Sequence, residues 1–449
     1  MVCPVTNRSC GSGGNATWPD WTRILVVLAG LTAPAVGLAS DTHPPSAEAL
    51  VKPNGQSAGH GVAERPAEDA ARLAQGGRRR VEEGLASFPR KWGQLFLQGA
   101  QGLKRAATIP DRMEYHHVPG ASVAVISAYK LEWVQAYGVC RAGGEAPVTT
   151  ETLFQAASVG KSVTAAAALR LVEEGRLSLN GDVNQRLKSW KIPPNPYTAD
   201  TPVTLRLLLS HTAGATGTGG YGYAANEACP TLLEVLDGKP PSRLEPIRVG
   251  AAPGRQYRYS SGGYSIVQQL ISDVTGKPFN AAMGELVLDP LKMGHSTFEQ
   301  PPDPALRALL AAEHDFDGTP LPNGPLRYPQ AAAGGLWSTP SDLATFAIAL
   351  MNAKRGESNA VLPSAMVSEM MQPVMFGVGL GVQVRSEGST MHFLHVGGSV
   401  GSCCILVAYP ETGKGAVVMT NSASGNTLCL EILASIFYEY EWGRLMVSF

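Results

Sequence analysis

The strongest constraint on the fold is where the strand-forming segments lie. Two of them, 121–126 and 133–137, flank a short polar turn and read as an antiparallel hairpin. The others, 379–384, 392–394, 404–408 and 416–419, come more than two hundred residues later. Between them, from Lys161 to about Leu350, helices and loops predominate. Strands near both ends with a helical middle imply an α/β chain of the α+β type. One antiparallel sheet is completed by distant segments and flanked by helices, with a helical insertion over about 162–350. A closing helix is predicted over 428–440.

The composition supplies enough apolar material for such a core, with 44% hydrophobic and 16% charged residues. Lys+Arg 36 against Asp+Glu 37 leaves a net charge of −1, so no basic excess points to nucleic acid. No run of 18 apolar residues occurs, which excludes a polytopic membrane protein and a stable membrane span. Seven cysteines without a CxxC pair exclude a disulfide scaffold and a Cys-rich zinc module.

Residues 1–40 read as a presequence: Arg23, a short apolar run over 24–31, then Pro34 and small residues including Gly37 and Ala39. Export to the periplasm or the medium is the expectation, with a disordered N-terminus on a cytoplasmic protein as the alternative. Residues 41–78 are rich in Pro, Ala, Gly and Glu and read as a disordered linker. The folded domain is expected over 79–449. It opens on a helical pattern of Val81, Leu85, Phe88, Trp92 and Leu95.

Three serines compete as nucleophile. Ser127 and Lys130 match Ser-x-x-Lys but fall at a hairpin tip, where residues three apart need not face each other. Ser158-Val159-Gly160-Lys161 stands just before a strong helix, 162–174, that ends at Gly175. On a helix, i and i+3 share a face, so the Lys161 ammonium can reach the Ser158 hydroxyl. The helix N-terminus adds partial positive charge there. An N-cap serine beside a solvent-facing lysine is the alternative. Ser399 lies in Gly397-Gly398-Ser399-Val400-Gly401, which fits the G-x-S-x-G nucleophile elbow. That elbow needs a helix after the serine and a histidine downstream. A strand pattern follows instead, and no histidine comes after His395, so Ser399 is rejected.

The segment from Thr152 to Lys161 resembles the active-serine segment of class C β-lactamases, their penicillin-binding relatives and family VIII carboxylesterases. The resemblance continues through 205–214, 253–264, 331–343 and His395-Val396-Gly397, in the family order. It covers the chain from about residue 80 onward and implies a β-lactamase/DD-peptidase-like fold.

Carried over, it implies that Ser158 is acylated, that Lys161 is its proton partner, and that Tyr259 shuttles a proton to the leaving group. The N–H groups of Ser158 and Gly398 would hold the oxyanion. Ser261, His395 and Gly397 are implied at the substrate, and which of Lys161 and Tyr259 is the acylation base stays open. Two departures stand out: Ser261 replaces the lactamases' Asn, and His-Val-Gly replaces Lys-Thr-Gly. A largely neutral His and a donorless Val weaken a carboxylate clamp, which favours esters.

The expectation is a serine hydrolase acting on short-chain carboxylic esters, with a small-molecule ester or amide as its partner and side activity on β-lactams. A β-lactamase or D-Ala-D-Ala peptidase, and an acyltransferase, are the alternatives. His116, His117, His211 and His314 show no metal-ligand spacing, so no metal and no cofactor is expected. His211 reads as a structural hydrogen-bonder. Cys403 and Cys404 read as free thiols on opposite faces of a strand.

Overall fold

The computed structural model describes residues 75–82, 108–220, 222–387 and 390–442. The presequence and most of the linker lie outside these residues. A helix runs over 75–82, three residues ahead of the expected end of the linker. The rest of the pattern from Leu85 to Leu95 falls outside the described residues.

Six strands form one antiparallel sheet: β1 (Gly120–Ser127), β2 (Lys130–Gly138), β5 (Gln383–Glu387), β6 (Thr390–Gly398), β7 (Cys403–Tyr409) and β8 (Lys414–Thr420). Their order is β2-β1-β8-β7-β6-β5, so the N-terminal hairpin is joined to the C-terminal strands through β1 and β8. The join runs from Ala121 opposite Thr420 to Ile126 opposite Gly415. A two-stranded ribbon, β3 (Phe154–Gln155) and β4 (Trp337–Ser338), lies apart from it.

The central strands β7 and β8 are buried on both faces, which explains their near-continuous apolar sequence. Alternate residues serve different cores. Cys404, Leu406, Ala408, Val417 and Met419 join the large core shared with the helical middle. The other face carries Tyr409, whose ring packs on Phe437 and Trp442 at the closing helix. That helix runs Gly425–Glu439, and Pro340–Lys354 packs against β1, β7 and β8 as well.

Three elements of the helical middle surround Ser158. Helix α1 (Gly160–Glu173) is Ala-rich and almost wholly buried. Helix α2 (Ser261–Thr275) is capped by Ser260, whose hydroxyl accepts from Gly263 N at 2.9 Å. The short helix α3 (Ala331–Gly334) leads into β4.

One strand expectation is corrected. Within 379–384 only Gln383 and Val384 are strand; residues 379–382 form a turn. Gly381 has φ +81°, its N–H donates to Leu209 O at 3.1 Å, and its carbonyl accepts from Ser162 Oγ at 2.6 Å. A Cβ on Gly381 would collide with Ala165. The turn thus closes against α1, and tertiary contacts override an apolar run that reads locally as strand.

Candidate active site

Ser158 sits in a single 3-10 turn, Ala157–Val159, between β3 and α1. Ala157 is held at φ +47°, a left-handed conformation that strains an alanine. Gln155 holds it there. Its carbonyl accepts from Ala157 N at 2.5 Å, and its amide donates to Gly334 O on α3.

Helical spacing brings Lys161 back onto Ser158, with Nζ donating to Oγ at 3.0 Å. Lys161 is fully buried, so its N–H groups need acceptors, and a second one is the Ala333 carbonyl on α3. The pairing of β4 with β3 (Gln155 opposite Trp337) is what carries α3 to this place.

From the other side the Tyr259 hydroxyl donates to Ser158 Oγ at 2.7 Å. Tyr259 lies just ahead of the cap of α2. The His211 ring stacks on it at 4.4 Å between centroids, with 36° between planes. His211 Nδ1 accepts from Ser260 N at 3.1 Å, which puts the ring proton on Nε2. So His211 is a hydrogen-bonder, as its position suggests, and also a backing plate for Tyr259.

Strand β6 closes the site. Its partner β5 pairs with it only from Thr390 to Leu394, so residues 395–398 have a free edge on that side. The Ser158 turn packs there: a Cβ on Gly397 would overlap the Ala156 carbonyl oxygen and lie 3.1 Å from Ser158 N. A Cβ on Gly398 would meet nothing within 4 Å. His395 is buried, and its Nδ1 lies 3.0 Å from Val396 O. Burial first and the Lys161 charge second push its pKa down to about 3. His211 is driven well below its ordinary value by the same causes, followed by His395. Both imidazoles are therefore uncharged at neutral pH.

A family model described as Beta-lactamase matches residues 105–431, well over half of the sequence. The chain belongs to the Beta-lactamase family. Penicillin-binding protein 4 of Amycolatopsis lactamdurans is 27% identical over 347 residues, which cover 74% of this chain and 88% of that one. Among solved structures, the octameric penicillin-binding protein homologue from Pyrococcus abyssi superposes with a TM-score of 0.60 at 24% identity. The match covers 74% of this chain and 76% of that one. The D-amino acid amidase from Ochrobactrum anthropi SV3, complexed with L-phenylalanine amide, gives a TM-score of 0.59 at 22% identity, over 74% and 96% of the two chains. At these identities the structures establish the β-lactamase/DD-peptidase fold, an antiparallel sheet flanked by helices.

Within this Beta-lactamase family chain, the structure brings Ser158, Lys161, Tyr259, His395 and Gly397 to one place. The Ser261 hydroxyl donates to Thr218 O in the Gly-rich loop, at 3.4 Å, and not to Ser158, Lys161 or Tyr259. The first residue of α2 is buried against that loop, so a side chain as short as serine is spent on its carbonyl. Ser399 stands outside the constellation. Its Oγ donates to Glu313 Oε1 at 3.2 Å and accepts from Gly401 N at 3.3 Å.

Three contributors escaped sequence reasoning. The Ala333 carbonyl is a backbone atom and carries no side-chain signal. Gln155 lies inside the active-serine segment but resembles a strand residue. The stacking of His211 on Tyr259 joins positions 48 apart, and no local spacing reports it.

Proposed function

We propose that this protein is a serine hydrolase that forms an acyl-enzyme on Ser158 and acts on carboxylic esters. The observation that carries this reading is Ser158 Oγ lying 3.0 Å from Lys161 Nζ and 2.7 Å from Tyr259 OH. A serine hydroxyl attacks only when a neighbour takes its proton, and here two titratable groups touch it.

In this mechanism the Lys161–Tyr259 pair reacts in the form that lacks one proton, with a neutral Lys amine or a Tyr phenolate, and takes the Ser158 proton as Oγ bonds to the ester carbonyl carbon. The carbonyl oxygen takes up the charge facing the Ser158 and Gly398 N–H groups. The first of these lies in the 3-10 turn that leads into α1. The tetrahedral intermediate collapses, the ester C–O bond breaks, and Tyr259 returns the proton to the departing alcohol. Water then repeats the sequence on the acyl-enzyme and frees the acid.

The preference for esters rests on β6. His395 is neutral and Val396 offers no donor, so the strand presents no cationic clamp for a substrate carboxylate. Short acyl groups are the first choice of substrate. The same residues would open an amide or a β-lactam. The penicillin-binding and amidase names among the similar proteins make that the second reading.

The test is turnover of p-nitrophenyl butyrate, a chromogenic cephalosporin and D-phenylalanine amide by one preparation, beside Ser158→Ala. Ester turnover that disappears in the variant, with slow cleavage of the other two, supports the ester reading. Cephalosporin or amide turnover far above ester turnover transfers it to the second. Full activity of Ser158→Ala overturns both.

A further inference from the structure

A single exposed aromatic stands over the pocket next to Tyr259, and its placement is expensive. Phe376 is 79% exposed, the most exposed of the large apolar side chains among the described residues. It has φ +49°, and Gly377 follows at φ +72°. Val378 N donates to Met375 O at 2.9 Å, so the two residues form the centre of a type I′ turn. Glycine or asparagine suits both central positions, and a phenylalanine at the first is strained. Folding therefore gains nothing from the ring: it buries little and bends the backbone the wrong way.

The turn is nonetheless held firmly. The Gly377 carbonyl accepts from Val384 N at 2.7 Å and from Arg385 Nη1 at 2.9 Å. A Cβ on Gly377 would come within 2.5 Å of Arg385 Nη1 and 2.9 Å of Val384 O. Anchored in this way, the Phe376 ring stands edge-on to Tyr257, at 6.4 Å and 74°. Tyr257 lines a narrow cleft, with enclosed room for about one water, together with Tyr259, His211, His395, Val378 and Gln383, so a larger group would rest on its rim. Val378 belongs to the Phe376 turn itself, so the turn is both wall and rim. Both histidines of the pocket are neutral, and the wall facing a ligand there is aromatic and amide.

We infer that Phe376 and Tyr257 form the rim of a leaving-group subsite that takes the aromatic or bulky apolar alcohol portion of the ester. This rests on the mechanism proposed above, which fixes the side. The carbonyl oxygen faces Ser158 N and Gly398 N, while the departing alcohol receives its proton from Tyr259. Tyr259 itself lines the cleft, and Phe376 rests on its neighbour Tyr257, so the group that Tyr259 protonates leaves toward this rim. Edge and face contacts with two rings favour an aromatic alcohol over an aliphatic one.

The experiment compares benzyl butyrate with ethyl butyrate, which share one acyl group and leave alcohols of similar basicity, in wild type and Phe376→Asn. The variant should lose about tenfold in kcat/KM for the benzyl ester, mostly through KM, and less than twofold for the ethyl ester. Its thermal midpoint should stay level or rise, because asparagine relaxes the turn. Equal losses on both esters, no loss on either, or a lowered midpoint would overturn the assignment.

Binding of benzyl alcohol to Ser158→Ala, with and without Phe376→Asn, is a readout that needs no turnover. About tenfold weaker binding in the double variant supports the subsite, and unchanged binding sinks it. Failure of the ester mechanism itself would show differently, as ester turnover that survives Ser158→Ala.

Discussion

Two serines border the same end of strand β6 and live in opposite surroundings. Ser158 packs beneath Gly397, and its hydroxyl touches the buried Lys161 amine nitrogen and the Tyr259 phenol. Ser399 follows Gly398 directly, and its hydroxyl is bound to the buried carboxyl of Glu313 and to its own turn at Gly401. By short-motif reading both are candidates. The surroundings separate them: the first hydroxyl has groups through which a proton can leave and return, with helix α1 starting beside it. The second is a strut that keeps the turn after β6 in shape. Reactivity follows from what a hydroxyl touches, and the G-x-S-x-G spacing here describes a tight turn between two strands.

The largest expected difference comes from removing each hydroxyl. Ser158→Ala should lower ester turnover by roughly 10⁴-fold or more, as loss of an attacking group does. Ser399→Ala should stay within about threefold in turnover while losing about 1 kcal/mol of stability with its hydrogen bonds. Initial rates and thermal melts of both variants check this, and a Ser399→Ala loss matching that of Ser158→Ala would reverse the comparison.

A subtler break uses the two glycines that separate the serines. Gly397→Ala drives a Cβ into the Ala156 carbonyl and toward Ser158 N, displacing the nucleophile's turn. Its kcat should fall about 10²- to 10³-fold, the size expected when an oxyanion donor moves out of place. Gly398→Ala adds its Cβ into open space and should cost only a few-fold, although the residues are adjacent. Equal losses would mean that the β6 edge tolerates or rejects side chains for reasons other than the Ser158 contact.

The same contrast explains how much of the molecule was legible in its sequence. The hairpin, strands β6 to β8, the closing helix and helix α1 were readable because their apolar patterns repeat within a few residues. The spacing of Ser158 and Lys161 was readable in the same way, since three residues on a helix is a distance the sequence states directly, but preferring them to an N-cap serine beside a solvent-facing lysine needed the resemblance of the wider segment. Tyr259 and His395 needed the family's order of segments, because 101 residues separate Tyr259 from Ser158 and only the fold closes that gap. The turn at 379–382 was misread as strand, since its conformation is set by Leu209 and Ser162 and not by its neighbours. Ser261 looked like a site residue, and its bond to the Thr218 carbonyl depends on a loop whose path the residue types do not dictate.

The smallest effects lie in pH dependence, and there the two corners should pull in opposite directions. Burial pushes the Glu313 carboxyl up from 4.5 to about 7, against the hydrogen bonds from Leu326 N and Ser399. The Tyr328 phenol beside it is raised as well, first by burial and then by the Glu313 charge. A carboxyl raised on folding binds its proton more tightly in the native state. Its stabilisation is complete below 4.5 and is lost as pH climbs through about 7.

His395 does the reverse. Its pKa falls from 6.5 to about 3, so its contribution is complete above 6.5 and is lost as pH drops toward 3. His211 adds to the same limb. Between pH 4.5 and 6.5 the two contributions oppose each other and flatten the wild-type profile.

Glu313→Gln should uncover a stability that rises with pH across that window relative to wild type. His395→Asn should uncover one that falls. In each case the change in slope is bounded by about 1.4 kcal/mol per pH unit for one proton. Urea melts of the three proteins at half-unit steps from pH 4.5 to 6.5 decide it. Slopes that shift in the same direction in both variants would show that one of these buried groups does not keep its neutral form in the native state.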